Sequence, residues 1–233
     1  MSAMTGAVPL DRRHRRRRET IEQVLDVAAE VMAEQGVAGL TLGEVARRMG
    51  IRPPSLYVYF DGKHALYDAL FERGWRLLLE QWRAAVATTD GRDLAADLLT
   101  LVSAFVRWLL EHPAYAPLMH WRPVPGFRPS AAAYAPAVEV ERMGRDFLAA
   151  LGERGVLPPG TDLDLADRTL TAVIGGVITQ QLANAPGEPF ETGTYTSTLP
   201  DLVAMWLAHH GERPASGADR GESEQPGNGE ALR

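Results

Sequence analysis

The 233-residue sequence contains no cysteine. Without thiols there is no disulfide framework, no cysteine-based zinc site and no thiol nucleophile. Long apolar runs are missing too, and arginines fill the N-terminal stretch where a secretory signal needs an apolar core. A soluble, cytoplasmic protein with no membrane partner is the expectation. No segment reads convincingly as a sheet strand. The G-x-S-x-G, P-loop and G-x-G-x-x-G patterns are all absent, which leaves nucleophilic, phosphoryl-transfer and dinucleotide chemistry without support. No cofactor and no catalytic residue are expected, and a helical-bundle enzyme is a rival without a motif behind it. His112 and His120 stand eight apart across Pro113, and His209 and His210 are adjacent. Neither pair has the one-face i, i+4 spacing of a helical zinc site, so no metal is expected. Lysine is nearly absent: Lys63 is the single one, every other such cation being arginine.

Hydrophobic residues make up 45% of the chain and charged residues 23%, a composition that supports a packed core. The net charge of -6 argues weakly against nucleic acid, but the charge is unevenly distributed. Through Lys63 there are ten cations against eight carboxylates; beyond it there are 14 against 22.

Helical periodicity runs through most of the sequence. Ile21, Val24, Leu25, Ala28, Val31 and Met32 follow the i, i+3, i+4, i+7 pattern, with Thr20 and Gln23 at capping-box spacing and Gly36 available as a left-handed stop. A second capping pair, Thr41 and Glu44, opens a short helix that Gly50 closes. Arg52 is followed by Pro53 and Pro54, tolerated in a first helical turn, and Leu56 and Phe60 face inward four apart. A long pattern starts at Lys63 and runs to about residue 88, roughly 40 Å, enough to join two domains. Further helices are expected at about 93–111, 113–121, 136–154, 163–184 and 195–210. The fold class is therefore all-α.

The short helix from Thr41, the Gly50 turn and the helix after Arg52 have the proportions of a helix-turn-helix; an ordinary helical hairpin is the alternative. The side chains favour the former. Arg52, Pro53, Ser55, Tyr57 and Tyr59 offer one guanidinium and three hydroxyls beside a helix whose apolar side is taken by Leu56 and Phe60. Arginine can read a guanine edge, proline or a serine methylene can touch a thymine methyl, and hydroxyls reach phosphate.

The stretch LTLGEVARRMGIRPPSLYVYFDGKHALYDAL resembles the DNA-binding signature of the TetR (tetracycline repressor) family, a likeness covering roughly residues 17–70. The resemblance implies a homodimer that reads a palindromic double-stranded operator and a helical C-terminal domain that binds a small-molecule effector. It places Thr41, Tyr57, Tyr59 and Lys63 at phosphate-contacting positions and Arg52, Pro53, Pro54 and Ser55 near bases. Gly43 stands where many members have a polar or basic residue, so one base contact is missing. The implied division is a disordered basic arm over 1–16, a helix-turn-helix domain over 17–63, an effector-binding and dimerisation domain over 64–210 and a disordered tail over 211–233. The arginine run of the arm either tracks phosphates or is a solvated leader.

Trp75, Leu79, Trp82, Phe105, Trp108, Tyr115, Met119, Trp121, Phe127, Met143 and Phe147 fall where the resemblance implies an apolar pocket, while any one of them taken alone reads as plain core. An apolar or aromatic effector follows. Leu170, Val173, Val177 and Gln181 form one helical row and Leu202 and Trp206 belong to another; two such helices from each of two chains make a four-helix interface. The expected function is a ligand-responsive repressor, with an activator or architectural regulator that recruits a protein as the alternative.

Overall fold

The computed structural model describes residues 8–211. It contains eight α-helices and two short 3-10 helices, and no strand among the described residues. α1 spans Val8–Gly39, with a break at Gly36, whose φ of 74° is the left-handed conformation that glycine adopts without strain. The helix begins inside the stretch expected as an unstructured arm. Arginine is a good helix former and Arg15 pairs with Glu19 at i, i+4, so helix propagates back past Thr20, which is no cap; its hydroxyl donates to Arg16 O at 2.9 Å. Residues 1–7 lie outside the described residues. So does the expected tail, apart from Gly211 at the end of the last helix.

α2 (Leu42–Arg48) is capped by Thr41, whose Oγ1 accepts from Glu44 N at 3.1 Å. The reciprocal half of the capping box does not form, because Arg47 and Arg48 take the Glu44 carboxylate. Gly50, at φ 67°, turns the chain: Ile51 N donates to Ala46 O and Gly50 N to Arg47 O, the paired bonds of a Schellman ending. The next helix, Pro53–Val58, is 3-10 rather than α. Its two leading prolines lack N–H donors, and its six residues close i to i+3 bonds such as Ser55 N to Arg52 O and Tyr59 N to Leu56 O, both 2.9 Å.

α3 (Lys63–Val86) is the spine. Toward its start, the fully buried Leu66, Tyr67 and Leu70 join the core of α1 and α2, built from Val24, Ala28, Val31, Leu40, Val45 and Ala46. The Tyr67 hydroxyl donates to Val37 O at 2.6 Å and Arg73 pairs with Asp26 and Glu22 of α1. Further along, α3 packs against α4 (Leu94–Glu111), α5 (Tyr115–His120) and α6 (Ala131–Glu153). Close approach to α5 requires Gly74, since a Cβ there would lie 2.8 Å from both Met119 Sδ and Tyr115 Cδ1. α6 starts five residues before the expected 136, because Ser130 caps it and Pro136 is accommodated within. Ser130 is itself held by Asp68 of α3, through its N–H and hydroxyl at 2.7 Å each. α7 (Leu163–Asn184) and α8 (Leu199–Gly211) pack on each other and on α4.

Candidate nucleic-acid interface and the region behind it

The 3-10 helix presents its outer side to solvent. Arg52, Pro53, Pro54 and Ser55 are all exposed, Tyr57 is 56% exposed, and Leu56 and Phe60 anchor the helix from below. The backbone thus delivers one guanidinium and two hydroxyls outward on a rigid base. Val58, 69% exposed, was not among the expected contacts and adds an apolar edge suited to a thymine methyl. Tyr59 is half-buried, its ring beneath the Arg17 guanidinium at 5.2 Å, while Arg17 Nη1 donates to Val58 O at 3.2 Å. Arg17 therefore clamps the end of the reading helix, and the arginine-rich start of α1 lies beside it. Nothing in the sequence singles Arg17 out of its run, because the contact joins residues 41 apart.

Thr41 is exposed with its hydroxyl oxygen engaged as a cap acceptor, which leaves its proton available to a phosphate. Lys63 Nζ donates to Ala38 O at 3.2 Å and lies 5.3 Å over the Tyr67 ring. One of its three protons holds the domain together and two remain. Arg47 and Arg48 are occupied otherwise: Arg48 bridges Glu34 of α1 and Glu44 of α2, and these bonds hold the Glu44 carboxyl down at about 2, Arg47 being the first cause and Arg48 the second.

The residues expected at an effector pocket separate into three groups. Leu79, Trp108, Tyr115 and Met119 are buried in packed core; Trp108 stacks on His112 at 4.3 Å, and Tyr115 and Met119 close over Gly74. Trp121 is on the surface. Trp75, Trp82, Phe105, Phe127, Met143 and Phe147 are half-buried. Two clefts are open elsewhere. One, about 570 Å³, lies between α1, α3 and the α4–α5 junction and includes Tyr115 alone of the expected residues; the other, about 330 Å³, includes Phe127 alone, beside His64 and Asp68. Neither of these two clefts gathers the expected lining, and short α5 places its own core residues, Tyr115, Leu118 and Met119, in the middle of the bundle.

Most of the two rows assigned to dimerisation turn toward the chain's own body. Leu170, Val177, Gln181 and Trp206 are buried within the chain. The Trp206 indole donates to Ala166 O at 3.1 Å, and Gln181 binds Ala185 O and accepts from Tyr195 N and Thr196 N. Val173 and Leu202 are half-buried. Among the residues that α7 and α8 leave exposed are Ala172, Gly176 and Thr179 on one and Ala204, Met205 and Ala208 on the other, with Met205 at 66%. Helical period alone could not distinguish the face turned to the chain's own body from the face turned outward. No cluster of metal-ligating side chains occurs among the described residues, and none of their helices is long and apolar enough to cross a membrane.

A short helix held outward after a glycine turn, on a three-helix core continuous with a larger helical body, defines a helix-turn-helix DNA-binding protein with an appended helical domain. Residues 24–70 match the model of the family described as bacterial regulatory proteins, tetR family. Over 96 residues the chain is 35% identical to the uncharacterized HTH-type transcriptional regulator YobS of Bacillus subtilis (strain 168), covering 41% of this chain and 49% of that one. It is 45% identical over 49 residues to the tetracycline repressor protein class D of Escherichia coli, 21% of this chain and 22% of the relative. The chain thus matches about half the length, or less, of these curated relatives. The crystal structure of the regulatory protein SCO4313 superposes with a TM-score of 0.67 at 26% identity, covering 84% of this chain and 98% of that one. By sequence, then, residues 24–70 are those of a tetR-family DNA-binding region, and by fold the chain resembles a solved regulatory protein over most of its length.

Proposed function

We propose that this protein is a cytoplasmic, ligand-responsive transcriptional repressor that works as a homodimer. Two reading helices enter successive major grooves of a palindromic operator, about 34 Å apart. Arg52 reads a base edge with Pro53, Pro54 and Ser55 beside it, and Thr41, Tyr57, Tyr59 and Lys63 hold phosphates. A largely apolar small molecule bound against the far half of α3 favours a state in which the near half of α3, and the reading helix fixed to it, no longer fit both grooves. The observation that carries this reading is the continuity of α3: Lys63 and Tyr67 bond the α1–α2 connection at one end, and Trp75 and Trp82 stand in the helical body at the other.

Operator selection with the full chain, followed by variants, is the test. Arg52→Ala should relax preference at one base pair by about 1 to 3 kcal/mol, whereas Tyr57→Phe should weaken binding to all sequences by similar factors. Unchanged preferences in Arg52→Ala would remove its base-reading role.

A further inference from the structure

Four buried donors among the described residues have no acceptor: Arg73 Nε and Nη1, on the guanidinium that faces the Asp26 and Glu22 carboxylates, and two indoles. The indole Nε1–H groups of Trp75 and Trp82 are buried and meet no hydrogen-bond partner. Both residues stand on α3, seven positions and about 10 Å of helix rise apart, on one face. Their rings belong to a chain of four: the His120 ring lies 5.5 Å from Trp75, Phe105 lies 6.0 Å from His120, and Trp82 meets Phe105 edge-on at 5.9 Å. α3, α4 and α5 each contribute to this wall.

The wall is not closed off. Trp75, Trp82 and Phe105 keep part of their surface accessible and His120 is more open still. Yet desolvation pushes the His120 imidazole down to about 4, so the ring is neutral at physiological pH. Buried donors are rarely left unpaired in native proteins, because the water they lose must be replaced. Two of them on one wall mark the place of an acceptor that arrives from outside. Two indoles, one phenyl ring and one neutral imidazole supply no counter-ion, and their flat faces suit a flat partner.

On the sensor reading above, we propose that this wall is the effector subsite and that its ligand is an uncharged, flat apolar molecule bearing carbonyl or ether oxygens that accept from the Trp75 and Trp82 indoles. The rings supply the affinity of an apolar surface; the two N–H groups select for the oxygens, since any ligand without them leaves the donors unpaired.

The test uses three probes of similar shape on the full chain, in equilibrium dialysis without DNA: 9-fluorenone, its carbonyl-free counterpart fluorene, and the cation 9-aminoacridine. Fluorenone should bind roughly tenfold tighter than fluorene, the worth of one satisfied hydrogen bond. One of Trp75→Phe and Trp82→Phe, whichever removes the indole that the single carbonyl meets, should bring that ratio toward one, and an unchanged far-UV circular dichroism spectrum shows that the variant is folded. Equal affinity for fluorenone and fluorene in the wild type, tighter binding of 9-aminoacridine, or no binding of any probe overturns the proposal. Operator release is measured separately with the same probes: acceptor-selective binding that leaves operator affinity unchanged keeps the subsite and discards the sensor reading.

Discussion

Tyr67 shows how much a single side chain carries. It is fully buried, and its hydroxyl is the partner of Val37 O, next to the Gly36 break and thirty residues away. Removing the hydroxyl leaves Val37 O with only the longer bond from Leu40 N, 3.3 Å. Tyr67→Phe should therefore cost about 0.5 to 1.5 kcal/mol in urea denaturation, the net worth of one hydrogen bond. A loss below about 0.5 kcal/mol would mean that the Leu40 N bond alone satisfies Val37 O. Residues of this kind were invisible in the sequence, where Tyr67 is one more apolar position. The opposite holds for Arg52, Ser55 and Tyr57, which announced themselves because a short helix with its apolar side already occupied must turn its polar groups outward. Arg17 falls between: its type was conspicuous, its contact with Tyr59 and Val58 was not.

At the level of elements, the α1–α2 junction is held by charge and the α3–α5 junction by shape. Glu34 and Glu44 both titrate below the ordinary 4.5, chiefly through hydrogen bonds from Arg48 and Arg47 respectively. A depressed carboxyl stabilises the fold fully above its unfolded value and loses that contribution as pH falls toward its folded value. The urea midpoint should thus decline in two stages as pH falls, first from about 6.5 as the depressed His120 imidazole takes up its proton in the unfolded chain and then below about 4.5 as these carboxyls do, and Arg48→Met should make only the second stage shallower. An identical pH profile in the variant would show that these exposed pairs contribute nothing measurable, as is common at surfaces. Gly74→Ala tests the other junction. Its Cβ meets Met119 Sδ and Tyr115 Cδ1 at 2.8 Å, so either α5 or α3 must give way. The expected loss is about 1 to 3 kcal/mol, read as a lower unfolding temperature. An unchanged temperature would show that Met119 and Tyr115 move at no cost.

For the whole molecule the open question is what covers the outward faces of α7 and α8. A homodimer built on them buries Met205 between small residues, and Met205 supports nothing within its own chain at 66% exposure. Met205→Glu should therefore leave the unfolding temperature of the isolated chain nearly unchanged, halve the mass seen by light scattering and sharply weaken operator binding. A wild-type chain that is monomeric at micromolar concentration would sink the dimer on this face.

Local chemistry determined most of the secondary structure before any fold was known. The caps at Thr41 and the stops at Gly36 and Gly50, the prolines that place the reading helix, and the apolar period of α3, α4 and α7 are interactions within a few residues, so their signals are contiguous in the chain. The exposed face proposed to read DNA was legible for the same reason, being one short segment. Tertiary packing decided everything that pairs distant residues. It took Trp108, Tyr115 and Met119 into the core, put Trp121 outside, turned Val177, Gln181 and Trp206 inward and left Trp75 and Trp82 with unpaired indoles. A helical period says that one face is apolar; only the neighbours that pack on it say whether that face meets the chain's own body, a ligand or a second copy.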